Sequence, residues 1–144
     1  IKDQAGHKIR PLVDGVNARQ VSGFTPDSTD PELAAFDLDL TAETLTLSFS
    51  ETVDRASLDV NHIVLQNAEI GDNAVEWRRL DATESASTSA NTPVIVINLG
   101  KADLNEIKRL SSLATTGGGN SNTFLRLGAD AIADTADCRH NCRL

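Results

Sequence analysis

The chain has 144 residues, of which 40% are hydrophobic and 3% aromatic, and its formal net charge is −8 at pH 7. This length suits one domain, with a core of Leu, Ile, Val and Ala because Tyr and Met are absent from the sequence. The acidic balance argues against a nucleic-acid partner and against adsorption to an anionic membrane, since both need a basic face. The longest apolar run, residues 94–97, is far too short to cross a bilayer, so we expect no membrane insertion.

The first 32 residues show no sustained hydrophobic period and end in a stretch rich in Pro, Asp, Ser and Thr. Such a stretch is typical of an extended linker. The segment still carries scattered apolar residues, so we expect something to cover it. Because the chain begins with Ile1 and not with Met, we expect it to be a processed chain or a piece of a longer one.

From Leu33 the pattern changes to alternation. Apolar residues at 36, 38 and 40 alternate with Asp37 and Asp39, and a second alternating stretch follows at residues 44–49. This spacing predicts an antiparallel hairpin. Asp37 and Asp39 are expected to form a charged outer face rather than an acid–base pair. Further strands are predicted at residues 62–67, 76–80, 93–99, 122–127 and 131–134.

One helix is predicted in residues 101–114, with Asp103 near its start, where a carboxylate suits the helix dipole. Its apolar residues recur at three-residue steps: Leu104, Ile107, Leu110 and Leu113. Residues 81–92 are polar and rich in Ser and Thr, which predicts a solvated loop. Seven short strands separated by turn signals indicate a β-sandwich.

Several motifs resemble a repeat of large extracellular proteins. In that repeat FDLD precedes LTLxFSExV and SLDxxxIxLQ, and the second half contains DLNxIK, NTFLxL and AIxDxAG. The corresponding stretches lie at residues 36–39, 45–53, 57–66, 103–108, 122–127 and 131–137. The repeat is similar to the Ig-like modules of surface-layer proteins, which occur in tandem in cell-surface and flagellar-hair glycoproteins and in extracellular fibrils. One departure is Asp137, where the family usually has Gly.

The resemblance implies an immunoglobulin-like β-sandwich of about seven strands, all-β in class, with one short helix and an extended N-terminal arm. We expect the arm and linker at residues 1–32, the sandwich at 33–137 and a Cys-containing tail at 138–144. The implied role is that of a structural module in an extracellular filament or cell-surface assembly. The alternative is an adhesion module, an ectodomain that binds a glycan or a protein.

The beginning of the chain resembles its own last predicted strand. Ile1, Asp3 and Ala5 have the spacing of Ile, Asp and Ala at residues 132, 134 and 136. The arm is therefore either the end of a preceding repeat or a connector that adds a strand to a neighbouring copy, and it could equally fold back on its own domain. As a connector, its interface would comprise Ile1, Asp3, Ala5, Ile9, Leu12, Val13 and Val16.

The sequence indicates no enzyme and no cofactor, because its three histidines are dispersed and none belongs to a recognised nucleophile or HExxH motif. Cys138 and Cys142 have the spacing of a local disulfide, with free thiols or metal ligation beside His140 as alternatives.

Acidic residues of the linker could contribute to a calcium site between tandem domains. Without a DxDxDG loop, we expect no metal site there. These acidic residues are Asp27, Asp30 and Glu32.

Trp77 beside Arg78 and Arg79 could form a carbohydrate platform. A lone Trp in an alternating strand is more typical of a core residue, so we expect Trp77 to be buried and both arginines to pair with surface acids.

Glycosylation through Asn is not expected, because no Asn lies in an Asn-x-Ser/Thr sequon. Hydroxyl-linked sugars, or sugars on modified Pro as in the fibrous relatives, are plausible in the linker and in the Ser/Thr-rich loop. The candidate positions are Thr25, Pro26, Ser28, Thr29, Pro31, Ser85, Ser87, Thr88 and Ser89. Bare polar loops are the alternative.

Overall fold

A computed structural model describes residues 2–70, 73–115 and 122–135. Within them the chain is built mostly of strands in antiparallel sheets, with one α-helix. The strands are β1 (Leu33–Asp39), β2 (Thr44–Phe49), β3 (Val53–Asp54), β4 (Ile63–Gln66), β5 (Trp77–Arg79), β6 (Ala86–Ser87), β7 (Val94–Asn98), β8 (Phe124–Leu127) and β9 (Ala133–Asp134). The helix α1 spans Lys101–Arg109, and short 3₁₀ turns lie at Arg55–Ser57 and Val60–His62.

The strands form three sheets, with orders β1-β2-β7-β6, β5-β4-β8 and β3-β9. The predicted hairpin is confirmed, since β1 and β2 pair antiparallel with Asp37 opposite Thr46. Its turn is held by the Asp39 carboxylate, which accepts the backbone N–H groups of Thr41 and Ala42 at 2.8 Å each. These hydrogen bonds lower the pKa of Asp39. Asp37 and Asp39 are both exposed, as predicted.

The core lies where the inward residues of the four-stranded and three-stranded sheets and of α1 form one buried cluster. Alternation explains the membership, since every second residue of β2 and β7 is fully buried. The members are Leu45, Leu47, Phe49, Val53, Val60, Ile63, Leu65, Leu80, Ile95, Ile97, Leu99, Leu104, Ile107 and Leu113. The predicted core of aliphatic residues is therefore confirmed for the described residues, except that it also contains Phe49.

Two predictions about the second half need correction. The helix ends at Arg109 rather than near residue 114, because the Glu76 carboxylate accepts the backbone N–H groups of Ser111 and Ser112 and the chain leaves the helix there. The loop at 81–92 is not simply solvated: β6 pairs within it to β7, and Ser85 is 1% exposed. Both β3 and β6 are two-residue strands that the sequence pattern did not indicate.

The segment before β1 forms no strand in the part of it that the structure describes, and nearly all of its residues are exposed. A tight turn lies near its start, where Asp3 accepts the His7 backbone N–H at 2.8 Å and Lys2 bridges to Lys8. Hydrogen bonds from the backbone N–H and from the ring of His7 lower the pKa of Asp3. No helix among the described residues is long and apolar enough to span a bilayer.

Candidate functional site

The most distinctive surface lies on the three-stranded sheet. The register places Arg79 and Arg126 on either side of Val64, and Trp77 and Phe124 on either side of Gln66. Residues opposite one another in antiparallel strands share a face, and residues two apart along a strand share it too. We call this surface the Trp77 face; it comprises His62, Val64, Gln66, Phe124, Trp77, Arg79 and Arg126.

The positions of the core residues show which side of the sheet the Trp77 face occupies. Ile63 and Leu65 belong to the buried cluster, whereas Val64 between them does not. Val64 is nevertheless only 4% exposed, since the long side chains of the neighbouring strands flank it. The face is therefore the outer side of the sheet, with a buried aliphatic floor and exposed arginines above it.

Trp77 is 58% exposed, so the prediction that it lies in the core is wrong. The reason is the alternation of β5, where Arg78 and not Trp77 lies on the side of Leu65 and the core. The Arg78 Nε donates to Asp103 Oδ1 at 2.8 Å, and the Asp103 side chain is fully buried on α1. Arg78 therefore pairs with a buried acid, contrary to the expected surface acid.

A small network completes the environment of Asp103. Its Oδ2 accepts the Asp81 backbone N–H at 2.9 Å and the Ser85 hydroxyl at 2.7 Å. The Ser85 oxygen in turn accepts the Gly100 backbone N–H at 2.9 Å. Both carboxylate oxygens are thus satisfied, as a buried charge requires. The network joins β5, the following loop and the start of α1, so it holds Trp77 and Arg79 outward.

The Trp77 face contains a groove of about 450 Å³, whose lining includes His62, Val64, Arg79, Arg126 and Gly128. The Asp59 carboxylate lies beside this groove, with its Oδ2 atom 3.7 Å from His62 Nε2. The other Asp59 oxygen accepts the Asn61 backbone N–H at 2.9 Å and so caps the 3₁₀ turn. Sequence reasoning missed Arg126 and His62 because strand pairing, and not spacing along the chain, brings them to Arg79.

A second cluster lies between the linker and β9. One carboxylate oxygen from each of Asp27, Glu51 and Asp134 lies within 4.8 Å of the others. Three carboxylates at this spacing could hold a divalent cation, although calcium requires further oxygen ligands. Of the linker acids considered from the sequence, Asp27 belongs to this cluster and Asp30 adds negative charge near Glu51.

The Oε1 atom of Glu51 is buried and has no hydrogen-bond partner among the described residues. This burial, together with the charges of Asp134, Asp27 and Asp30, raises the pKa of Glu51. An acid with a raised folded-state pKa binds its proton more tightly in the folded chain than in the unfolded chain. Glu51 therefore adds stability at low pH. This contribution is lost as the pH rises from the ordinary Glu pKa of 4.5 through the raised pKa of the folded chain.

We expect Glu51→Gln to have a higher melting temperature than the wild-type chain at pH 7. The difference should shrink as the pH falls and vanish below the ordinary carboxyl range, because the wild-type side chain is then protonated. Thermal unfolding followed by circular dichroism between pH 3 and pH 8 measures it. Glu69→Gln, an equal charge change at an exposed position, should change little. A lower melting temperature for Glu51→Gln at pH 7 would contradict the expectation.

The structure also locates the other predicted site residues. Asp3 and Ala5 of the proposed interface lie in the exposed N-terminal turn, and Ile1 lies outside the described residues. The apolar side chains that follow are exposed: Ile9 68%, Leu12 63%, Val13 47% and Val16 80%. Cys138 and Cys142, with His140, also lie outside the described residues, so the disulfide stays a prediction.

Of the candidate glycosylation positions, Ser85 does not fit. It is buried, and its hydroxyl donates to Asp103, so a folded chain cannot present it for modification. The Ser87 hydroxyl is also engaged, with the Val96 carbonyl at 2.6 Å. Exposed residues in the same two segments remain candidates: Thr25, Pro26, Ser28, Thr29 and Thr88. Pro31 and Ser89 are half-buried.

Comparison of the chain with protein-family models, with curated proteins and with solved structures gave no match. The resemblance to Ig-like repeats therefore stays a prediction from the motifs.

Proposed function

We propose that the chain is a non-catalytic structural module of an extracellular filament or cell-surface assembly. It is built on an immunoglobulin-like sandwich and joined head to tail by its N-terminal arm. The observation that carries the proposal is the exposure of a row of large apolar side chains that its own domain does not cover. These side chains are Ile9, Leu12, Val13, Val16, Val21 and Phe24, with exposures from 47% to 80%.

A second copy is a suitable cover for the arm. Burying each aliphatic side chain yields about 1.5–3 kcal/mol. Ordering the backbone costs about 1–2 kcal/mol per residue. The two terms are comparable, so a stable junction needs a preformed acceptor. β1 and β8 are edge strands of the four-stranded and three-stranded sheets. Among the described residues no strand pairs with the outer side of either one, so each could accept an added strand.

Removal of residues 1–24 tests this role. We expect the full chain to form regular fibres by negative-stain electron microscopy and fast-sedimenting species by analytical ultracentrifugation. The truncated chain should be monomeric, with the melting temperature unchanged, because the arm does not contribute to the buried core.

Substitutions in the full-length chain distinguish the loss of apolar contacts from the loss of the arm itself. Leu12→Ser with Val16→Ser should prevent assembly, whereas Arg10→Gln with Arg19→Gln in the same arm should not. A full chain that is monomeric, or a truncated chain that still polymerises, would contradict the connector role.

An adhesion module is the second candidate function, favoured by the exposure of Trp77. If Trp77 were buried, the filament role would be the single candidate. An exposed aromatic ring beside cationic side chains is instead a feature of a surface that binds a ligand. The two roles are compatible, because the arm and the Trp77 face comprise different residues.

A further inference from the structure

The groove on the Trp77 face is lined by two arginines although the chain as a whole is strongly acidic. Arg79 and Arg126 are both exposed and flank Val64, each on the strand next to β4. Strands lie about 4.8 Å apart, so the two Cα atoms are separated by about 10 Å. One acidic group, or two acidic groups on one ligand, can therefore contact both guanidinium groups.

Across residues 2–70, 73–115 and 122–135, no carboxylate lies within ion-pair distance of Arg79 or Arg126. The carboxylate of Asp59, beside His62, is engaged in capping its own turn. Like charges on neighbouring strands repel one another. In a chain with a net charge of −8, two neighbouring arginines that form no ion pair with the described residues offer a site for an external anion.

The aromatic side chain extends this site along the sheet. Trp77 lies two residues before Arg79 on β5, on the same face and about 7 Å away. Opposite it on β4, Gln66 is 5% exposed and is held by hydrogen bonds from Nε2 to the carbonyls of Ala68 (2.8 Å) and Glu69 (3.3 Å). Trp77 therefore lies opposite a fixed residue, and 58% of its own surface is exposed.

We propose that the Trp77 face binds an acidic polysaccharide, one that carries carboxylate or sulfate groups. Arg79 and Arg126 bind the acidic groups through charge-assisted, bidentate hydrogen bonds. The apolar face of a neighbouring sugar ring packs on Trp77. The inference deepens the second candidate function and does not depend on assembly through the arm.

An acidic polypeptide fits the face less well. A peptide strand would gain main-chain hydrogen bonds only at a sheet edge, whereas this groove lies on the face of the sheet, above Val64. Binding on the face must come from side-chain charge and ring packing. A polymer of acidic sugars offers both at each repeat, because a carboxylate or sulfate group sits beside an apolar ring face.

Trp77 is the only Trp in the chain, so its fluorescence reports on this face. The full-length chain is titrated with an oligomer of galacturonic acid, with heparin oligosaccharide as the sulfated probe, and isothermal calorimetry is run in parallel. We expect a saturable change in Trp77 emission and an affinity that falls as salt is raised. The fully methyl-esterified oligomer, which is neutral, should bind at least about tenfold more weakly.

Variants test the assigned residues. Arg79→Gln with Arg126→Gln should lower the affinity about tenfold or more while the melting temperature stays unchanged, because both side chains are exposed. Arg55→Gln with Lys108→Gln, an equal charge change at exposed positions away from the groove, should bind like the wild-type chain. Equal weakening by both pairs would mean a general charge effect and would overturn the site.

Three further outcomes would overturn the proposal. These are equal binding of the neutral oligomer, tighter binding of an acidic peptide such as oligoglutamate, and the absence of binding by both methods. None of them bears on the filament role, because that role is read from sedimentation of the truncated chain.

Discussion

Asp103→Ala is expected to destabilise the chain by about 3–5 kcal/mol, the range for breaking a buried ion pair by removing one partner. Asp103 is fully buried and accepts hydrogen bonds from Arg78, from the backbone N–H of Asp81 and from the hydroxyl of Ser85. Its loss leaves the partly buried Arg78 guanidinium and two polar groups without their acceptor. Urea unfolding followed by circular dichroism measures the change.

Two controls identify the cause. Asp37→Ala removes a carboxylate at an exposed strand position and should cost less than about 1 kcal/mol. Arg78→Met combined with Asp103→Leu removes both charges and replaces them by apolar groups. It should recover part of the loss, because an unpaired buried charge costs more than an absent pair. If Asp103→Ala unfolded at the same urea concentration as Asp37→Ala, the network would not be a stabilising feature.

The same substitution should also affect the Trp77 face. Arg78 is held toward α1 by Asp103, and the alternation of β5 then directs Trp77 and Arg79 to the outside. In Asp103→Ala this directing contact is lost, so we expect the Trp77 emission to shift even under conditions where most of the chain stays folded.

The sequence predicted most strands because alternation is a local signal. The hairpin of β1 and β2 was predicted from the residues of those strands alone, and the structure confirms its antiparallel pairing. Alternation, however, defines two sets of residues without saying which set faces the core. In β5 the sets are Arg78 alone and Trp77 with Arg79, and hydrophobicity favours the wrong one. The orientation of β5 is instead set by the partner of Arg78, Asp103, which lies 25 residues further along the chain and cannot be identified from the spacing within the strand.

The two charged clusters could not have been predicted for the same reason. His62, Arg79 and Arg126 come from three neighbouring strand regions, and Asp27, Glu51 and Asp134 from the linker, a turn and the last strand. Their proximity depends on strand order, and the order β5-β4-β8 does not follow the chain. Spacing along the chain could identify Trp77 with its neighbouring arginines as a candidate platform, but it could not add Arg126.

Gly100→Ala is the second substitution for which we expect a large effect. A Cβ atom at this position would overlap the backbone carbonyl group of Glu84. Backbone atoms cannot rotate away as the end of a flexible side chain can, so the chain itself would have to move. The conformation of Gly100 is ordinary (φ −69°, ψ 156°), so the requirement is for space and not for backbone freedom. Gly100 stands at the N-cap of α1, a position where Ser or Asp is favoured in most helices. Here the close approach of the 81–87 segment excludes them.

We expect Gly100→Ala to cost about 3 kcal/mol, near the upper end for an overpacked interior. Separating α1 from Glu84 would also weaken the hydrogen bond from the Gly100 N–H to Ser85, and with it the network around Asp103. Because the two sites share this network, the loss in Gly100→Ala with Asp103→Ala should be less than the sum of the separate losses. Gly23→Ala is the matched control, since a Cβ there meets nothing within 4 Å. Equal stability of Gly100→Ala and Gly23→Ala in urea would show that α1 can move away from Glu84 without cost, and that the network does not fix its position.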